Sequence, residues 1–173
     1  IHDIDRTAEL LEELPSFCED YFIGIESRTS PQTRLKYAYD LRIFFDFLVH
    51  KKFRNLDVLA LTLNELNQVT HYDIELFVSY LSHYRFHGKH LSCDERAKAR
   101  KLSAVRALFK YFFNKGLLDK DDSAKVPTPK LHDKEIIRLD AEEVSDLINV
   151  VESGDGLTRH AAGYHSKTKI RDT

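Results

Sequence analysis

A chain of 173 residues, 42% hydrophobic and 31% charged, is long enough for one good core, or for one domain and part of another. No apolar run approaches the ~18 residues a membrane span needs, and no signal-peptide pattern opens the chain. Two cysteines, Cys18 and Cys93, cannot build a disulfide framework, so a reducing cytoplasm is the expected setting.

The net charge of −2 argues at first against nucleic acid, but it conceals two opposed regions. Between Ile1 and Glu26 there are eight acids and a single base, Arg6; between Leu81 and Lys115 there are nine bases and two acids, Asp94 and Glu95. A local basic face can bind phosphate whatever the global sum is. Six Gly and four Pro favour helices over turn-rich β structure, and 11 Phe with 8 Tyr supply a core without staples. The chain contains no Met, not even at its start. About three or four would be usual at this length. We expect the natural chain to begin earlier and to carry Met that this sequence lacks, which would shift some helical spacings by one residue.

The first predicted helix runs from about Thr7 to Ile25, with Leu10, Leu11, Leu14, Phe17, Tyr21, Phe22 and Ile25 on one face and the acids on the other. Pro15 predicts either a kink or a start near Leu14. Ser30-Pro31 is an N-cap followed by a proline in the first turn, opening a second helix that reaches about Lys51. Ala38, Leu41, Phe45 and Leu48, widened by Phe44, form its core stripe, while Gln32, Lys36 and Asp40 face away. Thr62 to Glu65 reads as a capping box for a short helix. Thr70 caps a third helix, with Ile74, Phe77, Val78, Leu81 and Tyr84 inward, ending before Gly88. Ser92 or Cys93 opens a fourth helix that runs to about Asn114, with Gly116 as its stop. Leu102, Val105, Phe109 and Phe112 form the apolar stripe of this helix. Arg96, Arg100, Ser103, Ala107 and Lys110 form a second one, basic with small residues between the charges, suited to lying close to a phosphate backbone.

Residues 118–135, with Pro127 and Pro129, read as a linker between a helical domain at 1–117 and a second domain at 136–173 that is cut short. Asp140 to Glu143 is a capping box, Leu139 and Val144 a hydrophobic staple, and Val144, Leu147, Ile148 and Val151 an amphipathic face. His83, His87, His90 and Cys93 lie close together, but their spacing fits no standard zinc pattern, and no metal or cofactor is expected. His160 and His165 read as solvated.

Three segments together resemble a known family. Arg100-Lys-Leu-Ser-Ala-Val-Arg-Ala-Leu-Phe-Lys-Tyr-Phe-Phe113, with Asp121-Asp-Ser-Ala124 and Pro129-Lys-Leu131 after it, resembles the end of the core-binding domain of Xer-like tyrosine recombinases. Ser30-Pro-Gln-Thr-Arg-Leu-Lys-Tyr-Ala-Tyr-Asp-Leu-Arg-Ile-Phe-Phe-Asp-Phe-Leu48 resembles its second helix, and Leu139-Asp-Ala-Glu-Glu-Val-Ser-Asp-Leu-Ile148 the opening of the catalytic domain. The segments occur in the family's order. One departure is the absence of a Pro where Asp122-Ser123 meets Ala124.

The resemblance implies an all-α protein: an orthogonal four- to five-helix bundle of the SAM-like core-binding type, then a linker and one or two helices of a truncated catalytic domain. The bundle would form half of a clamp around double-stranded DNA, with its second and fourth helices facing the duplex. Position by position this nominates Ser30, Gln32, Thr33, Lys36 and Tyr37, then Arg96, Arg100, Lys101, Ser103, Arg106 and Lys110. The family cuts DNA with a tyrosine that forms a 3′-phosphotyrosyl link, aided by arginines, a lysine and histidines without metal or energy cofactor. Its protomers work as tetramers. Arg159, Tyr164 and Arg171 do not match the catalytic positions, so no catalytic residue is assigned and the chain is expected to be inactive alone. Membrane and small-molecule partners are not expected. The rival readings are a stand-alone helical protein-interaction module and a helix-turn-helix regulator. The first leaves the basic helix and the capped helix at Asp140 unexplained; for the second, the connection around Gly88 is too long.

Overall fold

The computed structural model describes residues 2–130 and 141–153 and divides the chain into two units, residues 1–132 and 133–173. The first unit is a helical bundle with one short hairpin. Its order is α1 (His2–Leu11), α2 (Phe17–Ile25), α3 (Pro31–Lys51), α4 (Leu63–Asn67), α5 (His71–Tyr80), β1 (Tyr84–Phe86), β2 (Lys89–Leu91) and α6 (Glu95–Asn114). All-α architecture is thus the observed class, with the hairpin as a small addition.

Where a helical segment from Thr7 to Ile25, either kinked at Pro15 or starting near Leu14, was expected, there are two helices, the second starting at Phe17. Pro15 has no N–H to give and disfavours helical backbone at the residue before it. The chain therefore turns between Glu12 and Ser16 and restarts, with the Pro15 carbonyl accepting from Cys18 N at 2.8 Å. Leu14 and Pro15 are buried in that turn, so the break is packed.

The other helix starts follow from their caps. Ser30 Oγ accepts from Thr33 N at 3.2 Å, with Pro31 in the first turn of α3. Thr62 with Glu65, and Thr70 with Asp73, form reciprocal capping boxes at α4 and α5. The cap of α6 is Asp94, where Ser92 or Cys93 was expected, and its carboxylate accepts from Ala97 N at 2.8 Å. An acid there also faces the positive end of the helix dipole. Gly116, at φ +70, ends α6 in the left-handed conformation that glycine adopts without a Cβ penalty.

The core gathers one face of each helix. Phe17 meets Phe112 edge-on at 5.6 Å between ring centroids, and Phe44 meets Phe77 at 5.1 Å and Phe109 at 6.3 Å. Such pairs contribute about 0.5–1.5 kcal/mol each beyond the area they bury. Gly24 permits close approach of α2 and α6: a Cβ there would stand 2.3 Å from Tyr111 Cε2. The Tyr111 hydroxyl donates to the Asp20 carbonyl at 3.0 Å across the same contact.

Two expectations are corrected. Asp40, expected to face away, has no exposed surface; it lies at the α3–α6 crossing, where cations from α6 neutralise it. Residues 118–126, expected to be linker, pack on the bundle. Leu118 and Val126 join the core, and Asp122–Lys125 form a 3-10 turn with Asp122 and Ser123 buried. The few large apolar residues of this segment are the ones that anchor it, which composition alone could not weigh.

In the second unit, α7 spans Ala141–Ser153 and exposes Val144 and Ile148. The expected cap Asp140, the staple residue Leu139 and the side chains of Leu147 and Val151 lie outside the described residues, as do His160, His165, Arg159, Tyr164 and Arg171.

Candidate nucleic-acid interface

The basic stripe on α6 lies on the surface. Arg96, Arg100, Ser103 and Lys110 are exposed and Ala107 half-buried, all within one narrow arc of the helix. Ser103 returns its hydroxyl to the Ala99 carbonyl at 2.9 Å. On α3, Gln32 and Lys36 are exposed, while Thr33 and Tyr37 are half-buried, with Tyr37 packed against the core. Ser30 and Thr33 share a 2.9 Å hydrogen bond between their hydroxyls, so both already serve the helix cap.

The two helices are joined at Asp40. Its carboxylate accepts from Arg100 Nη1 at 2.5 Å and from Lys101 Nζ at 2.8 Å. Burial pushes the Asp40 carboxyl above the usual carboxylate range, against the pull of Lys101 and Arg100. Arg100 keeps 44% of its side chain exposed, so its guanidinium both touches Asp40 and faces solvent. Lys36 lies one turn before Asp40 on α3, which places it toward the same junction.

Two nominated residues stand elsewhere. Lys101 is 7% exposed and committed to Asp40; its ammonium is not on the surface. Arg106 is half-buried and turned toward the segment after α6. Its guanidinium donates to the Val126 carbonyl, to Thr128 Oγ1 at 2.7 Å and to the Ser123 carbonyl at 3.4 Å. Both were nominated by the family resemblance and lie outside the basic stripe, Lys101 on the side of Val105 and Phe112; neither reading reveals partners distant in sequence.

Sequence reasoning passed over the hairpin. Strands of three residues are too short to display a period of two. The available signals were the His87-Gly88 pair and the absence of any carboxylate from Leu76 to Cys93. Among the described residues, no group of three or more His, Cys, Asp or Glu side chains could hold a metal ion. No described helix is long and apolar enough to cross a membrane.

With this geometry in view, comparison with known proteins places the fold. Residues 18–116, from α2 to the stop of α6, match the phage integrase N-terminal SAM-like domain. The chain belongs to the tyrosine recombinase/integrase family. It is 28% identical over 142 residues to a tyrosine recombinase XerC of Caldanaerobacter subterraneus subsp. tengcongensis, covering 77% of this chain and 38% of that protein. It is 37% identical over 87 residues to the XerC of Natranaerobius thermophilus, covering 50% and 27%. For a XerC of Leptospira interrogans the identity is 24% over 140 residues, covering 75% and 40%. The chain thus spans well under half the length of these relatives. No solved structure gives a significant match.

Proposed function

We propose that this chain is the DNA-binding portion of a site-specific tyrosine recombinase, whose whole protein cuts and rejoins duplex DNA through a 3′-phosphotyrosyl intermediate. The observation that carries the reading is the exposed arc of α6. Arg96 and Lys110 there have no hydrogen-bond or ion-pair partner among the described residues, and Arg100 offers its free edge beside them. Cations left unpaired on a smooth helical surface suit phosphate contact, and small side chains at Ser103 and Ala107 let the duplex come close. Lys36 and Gln32 extend the surface along α3. Residues 136–173 read as the opening of the catalytic domain, without a catalytic residue of their own. The other protomers of a tetramer are the proposed protein partners. An apolar cleft between α1 and α2, lined by Ile4, Leu11, Phe22 and Ile23 and rimmed by Glu12 and Glu19, offers such a partner a surface.

Titration of random-sequence duplex DNA across a salt series tests the reading. Affinity should fall steeply with salt, and Arg96→Glu/Lys110→Glu should abolish binding while leaving the fold intact. Salt-independent binding, or binding indifferent to the double substitution, would sink it.

A further inference from the structure

Of the nine bases between Leu81 and Lys115, five have partners. Lys98 pairs with Glu95, Arg100 and Lys101 with Asp40, Arg106 with backbone carbonyls, and Lys115 lies over the Tyr111 ring. Four have none among the described residues: Arg96 and Lys110 on α6, and Arg85 and Lys89 on the hairpin. Half of the uncommitted cationic charge of this region therefore sits on an element that the α6 surface does not include.

The hairpin is built to hold that charge in place. Its two-residue turn has both residues at positive φ, His87 at 48° and Gly88 at 75°, the turn whose twist matches that of paired strands. Arg85 stands opposite His90, which puts the two on one face; Tyr84 and Phe86 alternate to the other face and pack on the bundle. Lys89, paired with Phe86, leaves the strand on the face opposite to Arg85 and is exposed beside the turn, so the two cations flank the hairpin. Arg42 lies over the Phe86 ring, 5.5 Å from its centroid, and within 3.2 Å of His87 Nε2. The Tyr80 hydroxyl donates to the Arg85 carbonyl at 3.0 Å. At the root, Cys93 N donates to the Leu81 carbonyl at 2.9 Å, which ties the strands to the cap of α6. Three residues of strand reach about 10 Å from that root, roughly three base-pair rises along the DNA axis.

We infer that the Tyr84–Leu91 hairpin is a second DNA-contacting element, in which Arg85 and Lys89 engage backbone phosphates next to those met by α6. His90 adds a donor on the Arg85 face. The inference rests on the DNA-binding reading and extends it to an element with its own, separable charges.

The test is the salt dependence of binding of the full 173-residue chain to duplex DNA, with hydroxyl-radical footprinting on a bound site. Each phosphate contact on duplex DNA contributes about 0.9 to the slope of log affinity against log salt. Arg85→Gln/Lys89→Gln should lower the slope by about 1.8 and remove protection from one discrete patch of backbone. Both side chains are exposed, so folding is not at risk. Lys51→Gln/Arg54→Gln, at the C-terminal end of α3, is the charge-matched control and should leave the slope unchanged. If the hairpin variant keeps slope and footprint while Arg96→Gln/Lys110→Gln loses both, the hairpin proposal falls and the DNA reading stands. An equal loss in the control variant also overturns it, since net charge would then be the cause. Absence of salt-dependent binding by the unaltered chain overturns both.

Discussion

Lys101 and Asp40 form a buried ion pair that joins the two longest helices. Lys101 Nζ stands 2.8 Å from Asp40 Oδ1, and neither side chain has appreciable exposure. Removing one member of such a pair leaves the other charge buried without compensation, which typically costs about 3–5 kcal/mol. Asp40→Ala should therefore destabilise the bundle by at least about 3 kcal/mol in urea unfolding. Asp40→Leu combined with Lys101→Met should recover most of that loss, because an apolar pair of similar volume needs no partner. A double variant as unstable as Asp40→Ala would show that packing at the crossing, not charge, is at stake.

Gly24 faces Tyr111 too closely for any side chain. Gly24→Ala should displace the ring, break its hydrogen bond to the Asp20 carbonyl and lower stability by about 1–3 kcal/mol, the usual cost of overpacking. Tyr111→Leu in the same chain should make Gly24→Ala much less harmful, so a double-mutant cycle reads the contact directly.

Asp122 supplies a pH signature. Hydrogen bonds from Lys120 and Lys125 hold its carboxyl at about 2, below the usual carboxylate range. A carboxylate depressed in the folded state contributes stability that is full above its unfolded pKa and is lost as pH falls toward its folded pKa. Unfolding free energy should thus decline between about pH 4 and pH 2, and Asp122→Asn should flatten part of that decline. Asp40 titrates in both proteins, so the difference between their curves isolates Asp122. Parallel curves would mean that the two lysines, both well exposed, are too screened by solvent to matter.

Arg106→Gln distinguishes a structural strap from a DNA contact. Charge-assisted bonds to backbone acceptors contribute about 1.5–3 kcal/mol each when intact. Their loss should free the 118–130 segment, seen as faster tryptic cleavage at Lys120 and Lys125. Salt-dependent DNA binding should change less than in Lys110→Gln. A larger effect on binding than on cleavage would return Arg106 to the interface.

What the sequence discloses here is what is decided locally. Ser30 before Pro31, Thr62 with Glu65, Thr70 with Asp73, and Gly116 after Lys115 each specify a helix end through groups within a few residues, and each is found where it was read. The exposed arc at Arg96, Arg100, Ser103 and Lys110 was legible because helical periodicity assigns it one face. Asp40 was misplaced for the same reason: periodicity sorts it outward, and only the crossing of α3 with α6, some 60 residues apart in sequence, supplies the partner that lets it turn inward. Lys101 was nominated by the resemblance, although its place on the helix beside Val105 and Phe112 is the buried side. The Arg106 contacts left no trace in the sequence, since two of its three acceptors are backbone carbonyls, which carry no sequence signature. The hairpin was missed because three-residue strands leave only a turn to recognise.

The Arg106 strap also locates a seam. Cutting the chain at Leu117 would strip Leu118 and Val126 from the core and leave a half-buried guanidinium without its acceptors. Cutting after Thr128 would leave the bundle whole. Grafting this bundle onto a foreign partner should succeed or fail on those eleven residues, because the fold travels with its strap or not at all.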